Sequence, residues 1–191
     1  MVNNAIIFLL ETFLGLFAFA LLMRFYLQVL RAPARNPLSA FLAALTDWLV
    51  RPARRVIPGL WRMDLSTLVL AWAIEVILLT AKFYLGGFEL GGAVGAGVIA
   101  LLVLGAVEVF KLSIYILMVA VIAQAVLSWV APYSPAMPML NSVTRPFLSP
   151  LQRRIPPVGN VDLSPLFLLV ACQLLLFLVA WLEGVLVRGI G

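Results

Sequence analysis

The chain has 191 residues, of which 64% are hydrophobic and 11% charged, with a formal net charge of +5. A soluble domain carries about 25% charged residues, so this composition excludes a water-facing surface and indicates a chain that lies in lipid. The positive charge does not indicate a nucleic-acid partner, because the basic residues flank apolar stretches. There is no histidine and one cysteine, Cys172, so no metal site, cofactor or internal disulfide is expected.

Three apolar stretches are each long enough to cross a bilayer as a helix. They cover about 5–30, 65–84 and 166–187, and roughly 20 helical residues span a hydrocarbon core of about 30 Å. The first stretch lacks the basic flank of a signal peptide, so we expect it to be retained as a span. A fourth stretch, 93–130, is too long for one ordinary span and somewhat short for two.

An internal repeat indicates four spans. A shift of 98 residues places Pro37 on Pro135, Thr46 on Thr144, Pro52 on Pro150, Arg55 on Arg153, Ile57-Pro58 on Ile155-Pro156, and Asp64-Leu65-Ser66 on Asp162-Leu163-Ser164. The repeat predicts an all-α integral membrane protein with four transmembrane helices, arranged as two parallel tandem helical hairpins, 1–85 and 103–191. The glycine-rich segment 86–102 lies outside the repeat and is expected to be interfacial or re-entrant. A fifth span there stays open, because membrane helices tolerate glycine.

Charge orients these helices. Nine of the 13 basic residues lie in the two segments that follow the first and third spans: Arg31, Arg35, Arg51, Arg54, Arg55, Arg62, Arg145, Arg153 and Arg154. Four spans place both segments on the same side of the membrane, and the positive-inside rule assigns that side to the cytoplasm. We therefore expect a multi-pass protein of an inner or plasma membrane with cytoplasmic basic loops.

Each basic loop also carries an amphipathic pattern. Apolar residues recur at helical spacing in both loops: Leu38, Phe41, Leu42, Leu45, Trp48 and Leu49, then Met139, Leu140, Val143 and Phe147. Thr46 and Thr144 fall on the polar side of this pattern. The pattern predicts a short interfacial helix in each loop. Asn36-Pro37 and Ser134-Pro135 are expected to start these helices, and Pro52 and Pro150 to end or bend them.

Two polar motifs follow each interfacial helix. The expected lipid or partner contacts are Arg54, Arg55, Arg153 and Arg154, with simple anchoring of the topology as the alternative. The residues expected to cap the second helix of each repeat are Asp64, Ser66, Asp162 and Ser164. Pairing of Asp64 with Arg55, and of Asp162 with Arg153, is a further hypothesis.

Several polar side chains fall at membrane depth: Glu11, Glu75, Lys82, Glu108, Lys111 and Gln173. Buried charges are costly in a bilayer, so these residues are expected to face the bundle interior. Glu108 can pair with Lys111 on one helix, and Lys82 can meet Glu11. Glu75 and its repeat mate Gln173 are expected to form a hydrogen bond across the pseudo-twofold axis. This bond would either stabilise the contact between helices or form part of a proton or cation path.

The loop motif resembles that of the YggT (YlmG) family of bacterial and plastid membrane proteins. Its residues in the first half are Asn36, Pro37, Thr46, Pro52, Arg54, Arg55, Ile57, Pro58, Asp64, Leu65 and Ser66, and it recurs from Ser128 to Pro165. The first half departs from the pattern at Asp47-Trp48, Trp61-Arg62 and Thr67. The resemblance implies a small, non-enzymatic membrane protein of the bacterial inner membrane. Members of this family are linked to osmotic stress with ion uptake, to envelope and division processes, and to cytochrome-complex assembly.

Three functions are considered. The favoured one is a non-enzymatic scaffold or assembly and stress-response factor, whose loops act on anionic lipid headgroups or on other membrane proteins. The alternative is an ion channel or transporter component that uses Glu75 and Gln173. An enzyme is disfavoured, because the sequence offers no catalytic or metal-ligating constellation. A homo-oligomer is possible through small residues, namely Gly15, Ala18, Gly97 and Gly105.

Overall fold

The computed structural model describes residues 2–33, 36–57, 64–87, 94–155 and 162–188. These residues form α-helices without strands: α1 (Val2–Val29), α2 (Pro37–Val56), α3 (Leu65–Leu85), α4 (Val94–Val130), α5 (Met137–Gln152) and α6 (Ser164–Arg188). Four of them, α1, α3, α4 and α6, are long and apolar enough to cross a membrane. The all-α class with four spans is confirmed.

The glycine-rich segment between the two hairpins differs from the prediction. Residues 94–102 are not a separate re-entrant element but the first turns of α4, which runs unbroken for 37 residues. At 1.5 Å per residue this helix is about 55 Å long, well beyond the thickness of a hydrocarbon core. An apolar helix carries its glycines without cost to its hydrogen bonding in lipid, so Gly95 and Gly97 do not interrupt it. The remainder of the predicted segment, 88–93, lies outside the described residues.

The four spans pack in a row. α1 packs against α3, α3 against α4, and α4 against α6, with a smaller contact between α1 and α4. The main core cluster joins α1, α3 and α4 through Leu21, Leu22, Ile74, Leu78 and Ile116. Within the described ranges no packing contact links α1 to α6. An apolar groove of about 380 Å³ therefore stays open over α4, between the end of α1 and the first half of α6.

The short helices α2 and α5 lie at the same end of the bundle, which we call the loop end. Leu42 of α2 shares one buried cluster with Met139, Leu140 and Val143 of α5 and with Leu27 of α1. The two connectors therefore border one buried cluster and cover the same ends of the spans. This shared position is what four parallel-repeat spans require.

A close approach of α3 and α4 depends on Gly105. A β-carbon at this position would lie 2.5 Å from Cγ2 of Val76 and 3.3 Å from Nε1 of Trp72. The Trp72 indole is fixed, because its Nε1 donates a hydrogen bond to the Leu102 carbonyl oxygen at 3.0 Å. Gly105 thus serves helix contact within the chain, as does Ala18, which is 0% exposed. Neither is available for the chain-to-chain contact considered from the sequence.

We predict that Gly105→Ala destabilises the detergent-solubilised protein, because the stiff Val76 side chain cannot move away from the added methyl group. Overpacking of this kind costs about 1–3 kcal/mol and lowers the melting temperature. The matched control is Gly15→Ala, since a β-carbon at Gly15 has nothing within 4 Å. Equal melting temperatures for the two variants would show that the α3–α4 contact is looser than described.

Candidate functional site at the loop end

Both interfacial helices dock on the bundle through equivalent residues. The buried residues of α2 are Leu42, Thr46 and Val50, and their mates after the 98-residue shift, Leu140, Thr144 and Leu148, are buried in α5. The two threonines, expected on the polar side, are 0% exposed. The buried stripe is thus rotated from the apolar face that the sequence indicates.

The outer part of each apolar face is left free by this docking. On α2, Phe41 is 62% exposed and Trp48 68% exposed. On α5, Phe147 is 45% exposed, and its mate after the 98-residue shift is Leu49, the neighbour of Trp48. A helix with an apolar face wider than its contact on the bundle divides that face between protein and lipid, as an interfacial helix does.

Thr46 is the polar centre of the α2 contact. Its hydroxyl donates to the Leu42 carbonyl oxygen at 2.6 Å and accepts a hydrogen bond from Nη1 of Arg24 at 2.7 Å. The same Arg24 nitrogen lies 2.7 Å from Oδ1 of Asp47, and Oδ2 of Asp47 lies 2.8 Å from Arg51. The Arg24 hydrogen bond lowers the pKa of Asp47, and Arg51 adds to this effect against the opposing effect of burial.

The sequence reasoning missed Arg24. It lies five residues before the end of α1, in an otherwise apolar span, and a lone arginine at that depth requires a partner. The need of Arg24 for an acidic partner, together with the presence of Asp47 in the helix that follows, could have predicted the pair of Arg24 and Asp47.

Thr144 is the equivalent centre in the second repeat, but its partners are neutral. Its hydroxyl lies 2.9 Å from the Leu140 carbonyl oxygen and is also hydrogen-bonded to Oε1 of Gln124. Nε2 of Gln124 donates to Oδ1 of Asn141 at 2.8 Å. Gln124 therefore takes the place of Arg24, although the two residues are 100 positions apart and the threonines 98. The link between span and interfacial helix is thus two residues shorter in the second repeat.

The predicted arginine–aspartate pairs are wrong by one residue in both repeats. Asp64 pairs with Arg54, not Arg55: Nε of Arg54 lies 2.9 Å from Oδ2, and Nη2 of the same guanidinium also binds that oxygen. The corresponding bond in the second repeat runs from Nε2 of Gln152 to Oδ2 of Asp162 at 2.8 Å. Successive helical residues point about 100° apart, so Arg55 is directed away from the aspartate and is exposed.

The four arginines proposed as lipid or partner contacts therefore divide. Arg55, Arg153 and Arg154 are exposed at the loop end. The Arg54 side chain is 47% exposed, whereas its partner Asp64 is only 5% exposed. Arg54 is thus partly committed to neutralising a buried carboxylate, and the other three remain available.

The capping predictions hold in part. Oδ1 of Asn36 accepts the Ser39 backbone N–H at 2.7 Å, which confirms that residue as the cap of α2. Oδ1 of Asp162 accepts the Ser164 N–H at 2.9 Å and caps α6. Burial tends to raise the pKa of Asp162, but hydrogen bonds from Ser164 and Gln152 outweigh it and hold the pKa below its usual value. The equivalent Asp64 side chain makes no cap bond to α3, because it is engaged by Arg54.

Three other details of the termini differ from the predictions. α5 begins at Met137 instead of Pro135, and has no side-chain cap. Pro52 and Pro150 were expected to end or bend the interfacial helices, and they do not end them, since α2 continues to Val56 and α5 to Gln152; the bend stays a prediction. Ser66 does not cap α3 but donates its hydroxyl to the Ile57 carbonyl oxygen at 3.2 Å, which ties the end of α2 to the start of α3.

A second polar cluster lies within the spans. Nζ of Lys82 lies 2.6 Å from Oε1 of Glu11, and Nζ of Lys111 lies 2.8 Å from Oε1 of Glu108, so both predicted pairs are confirmed. Lys111 also binds Oε2 of Glu183 at 2.9 Å, a partner that the sequence reasoning missed. These contacts join α1 to α3 and α4 to α6.

The predicted hydrogen bond between Glu75 and Gln173 is wrong. Glu75 is 9% exposed and lies close to the charges of Glu108, Lys82 and Lys111, whereas Gln173 is exposed on α6. Repeat-related positions need not face each other when the spans pack in a row instead of closing a ring. In the part of the chain that the structure describes, Glu75 has neither a hydrogen bond nor an ion pair, and no group of side chains could hold a metal ion.

These features define a multi-pass helical membrane protein made of two tandem hairpins, each with a docked interfacial helix. The family model described as CCB3/YggT matches residues 3–83 and, a second time, residues 103–182. The chain belongs to the CCB3/YggT family and contains two tandem copies of its repeat.

Relatives of similar length exist in bacteria. An uncharacterized protein of Pseudomonas aeruginosa is 37% identical over 93% of this chain and 89% of its own length. A protein of Vibrio alginolyticus, described as uncharacterized and encoded in the proC 3′ region, is 30% identical over 95% and 96%. The Escherichia coli K12 protein YggT, also uncharacterized, is 31% identical over 86% and 84%. No solved structure matches the chain.

We predict that Arg54→Ala destabilises the protein whereas Arg55→Ala does not. Loss of Arg54 leaves the buried Asp64 carboxylate without its cation, which costs about 1–3 kcal/mol. Loss of the exposed Arg55 should change stability by no more than about 0.5 kcal/mol. Thermal unfolding of both variants in one detergent would measure the difference, and a larger loss for Arg55→Ala would contradict the observed pairing.

Proposed function

We propose that this protein is a non-enzymatic scaffold or assembly factor of the bacterial inner membrane. Its two interfacial helices would act on anionic lipid or on partner membrane proteins, in envelope or osmotic stress, division, or assembly of a membrane complex. The positive-inside rule supports a cytoplasmic position for the loop end. The absence from the sequence of histidine, and of any Ser–His or Cys–His arrangement, supports a role other than catalysis.

The observation that carries the proposal is the repeated docking of α2 and α5. Each helix is held by a buried leucine and a buried threonine of the same register, so its orientation on the bundle is fixed. Each helix then presents an unburied aromatic side chain at the loop end, Trp48 or Phe147. Rigidly held aromatic and arginine side chains are the groups that dominate protein contacts.

Gln173 supports a partner within the membrane. It lies near the middle of the apolar helix α6 and is exposed, where lipid offers no hydrogen-bond partner to its amide. Polar side chains in this situation bind polar groups of neighbouring helices. A partner span that supplies such a group would satisfy the amide, and it would place a second contact on the outer face of α6.

The scaffold proposal predicts site-specific capture of a defined protein. A photo-crosslinking residue replaces Arg55 or Arg153 in native membranes, and Tyr84 serves as the control. Tyr84 is 84% exposed but lies near the end of α3 that points away from the loop end. Defined adducts at the two arginine positions, absent at Tyr84, are the expected result. The same adducts at all three positions, or lipid adducts alone, would exclude a protein scaffold acting through these loops.

Ion conduction is the second candidate, and Glu75 is the observation that favours it. A carboxyl group buried in a span with no partner among the described residues is costly to maintain, and such groups mark proton and ion pathways. Gln173 does not belong to this candidate path. The neighbouring groups are instead Glu108 and Lys111, and Lys111 in turn binds Glu183.

The conduction candidate predicts that Glu75→Gln abolishes proton or potassium flux in vesicles containing the purified protein. The substitution keeps the shape of the side chain and removes its charge. Glu11→Gln is the control, since Glu11 is paired with Lys82 at a more exposed position. Equal flux in the wild-type protein and the Glu75 variant would eliminate this candidate.

A further inference from the structure

A cavity at the loop end of the first repeat is lined by none of the four arginines proposed as contacts, Arg54, Arg55, Arg153 and Arg154. It has a volume of about 340 Å³ and is bordered by the last turns of α1, by the residues that follow it and by the first turns of α2. Its lining residues are Arg24, Leu27, Gln28, Arg31, Ala32, Ser39 and Leu42. Two arginines thus line one opening, and no carboxylate is among the described residues that line it.

Arg24 is held in place for binding on this side. The two hydrogen bonds to Thr46 and Asp47 both use Nη1, and a guanidinium carries five N–H donors in a fixed plane. The side chain is only 15% exposed, so its orientation is set by the protein. A planar donor fixed in this manner suits the oxygens of a phosphate group.

Arg31 occupies an unusual backbone position. Its φ is 52°, and the turn is closed by bonds from the Ala32 N–H to the Leu27 carbonyl and from the Arg31 N–H to the Gln28 carbonyl. This is the pattern of a Schellman cap, whose left-handed residue is ordinarily glycine. An arginine is strained there, and its use indicates that the side chain itself matters.

The other walls also suit a phospholipid. Ser39 lies in the first turn of α2, and its oxygen accepts a hydrogen bond from Nδ2 of Asn36 at 2.9 Å. The Ser39 hydroxyl can therefore still donate its own proton to another acceptor. The positive end of the α2 dipole is at the same place. Leu27 and Leu42 give the cavity an apolar side that matches the glycerol and upper acyl carbons of a lipid and that a free anion would not need.

The second repeat provides an internal comparison. Arg24 is matched by Gln124 in the second repeat, 100 residues further along the chain. The same count places Ser128 at the position of Gln28 and Ala131 at the position of Arg31. The hairpin and its interfacial helix therefore form without positive charge at this place. The charge in the first repeat is an addition to what the fold requires.

We propose that this cavity binds the phosphate of an anionic phospholipid, between Arg24, Arg31 and Ser39, with the glycerol against Leu27 and Leu42. The site lies in the headgroup layer of the leaflet at the loop end. This lipid site adds one specific contact to the proposed function. It rests on that proposed function only for the assumption that the ligand is a lipid. It can fail while protein capture at Arg55 and Arg153 succeeds.

The test is the melting temperature of the purified full chain in detergent with added phosphatidylglycerol or phosphatidylcholine. The wild-type protein should gain more from phosphatidylglycerol, and Arg31→Gln and Arg31→Gly should lose most of that gain. Arg31→Gly also relieves the left-handed backbone, so its melting temperature without lipid should not fall, and a folding defect cannot explain the loss. Arg145→Gln is the control, because it removes the same charge from an exposed site at the same end.

Three outcomes would overturn the proposal. Equal losses in Arg31→Gln and Arg145→Gln would reduce the effect to general attraction between a basic surface and anionic lipid. Retention of the full gain in both Arg31 variants would place the lipid elsewhere. A third arm uses inorganic phosphate and glycerol 3-phosphate without lipid. If either reproduces the whole stabilisation, the cavity is a site for a soluble anion and the lipid assignment is wrong.

Discussion

The structure depends on one constraint, which is that a polar group within the bilayer must find its partner in the protein. Helices satisfy their own backbone, so the side chains carry the problem. The hydroxyls of Thr46 and Thr144 satisfy part of it by bonding to carbonyls one turn earlier in the same helix. The Thr46 hydroxyl also accepts a hydrogen bond from Arg24 of the preceding span. The Thr144 hydroxyl instead directs its one proton toward both the Leu140 carbonyl and Oε1 of Gln124, again from the preceding span. Each interfacial helix is thereby attached to its own hairpin.

The two repeats solve this constraint with different chemistry. The first uses an arginine and a carboxylate one residue after the threonine, and the second uses a glutamine and an asparagine three residues before the threonine. The same substitution of amide for guanidinium recurs where Gln152 takes the place of Arg54 against an aspartate. At these equivalent contacts the first repeat therefore uses guanidinium groups and the second uses neutral amides. A lipid or protein that binds one half need not bind the other.

The ionizable residues of the spans follow the same constraint less completely. Lys82 pairs with one carboxylate on α1, and Lys111 is shared between two on α4 and α6, which explains how charged groups are accommodated in so apolar a chain. Glu75 is the exception, since it is buried and has no such partner among the described residues. The lysine–glutamate pairs can stabilise the bundle while Glu75 serves a separate role, because Glu75 belongs to none of these pairs.

The sequence was sufficient for the fold because hydropathy and repetition are properties of the whole chain. The four spans, the shared end of the connectors and the pairs of Glu108 with Lys111 and of Glu11 with Lys82 could all be predicted. What failed depended on rotation about a helix axis. A single step of about 100° decides whether Arg54 or Arg55 meets the aspartate, and an apolar pattern does not fix which edge of α2 is buried. The packing order of the spans, which separates Glu75 from Gln173, is likewise not encoded in any local pattern.

The proposed function depends most on both interfacial helices lying at one membrane surface, with that surface facing the cytoplasm. Single cysteines replace Arg55 or Arg153 in a chain that carries Cys172→Ala, with Tyr84→Cys as the marker of the opposite surface. A membrane-impermeant thiol reagent is then applied to right-side-out and to inside-out vesicles. We expect both connector cysteines to react only in inside-out vesicles, and the cysteine at position 84 only in right-side-out ones. Reaction of the two connector positions from opposite sides would contradict the four-span parallel repeat, and reaction of both from outside would reverse the orientation.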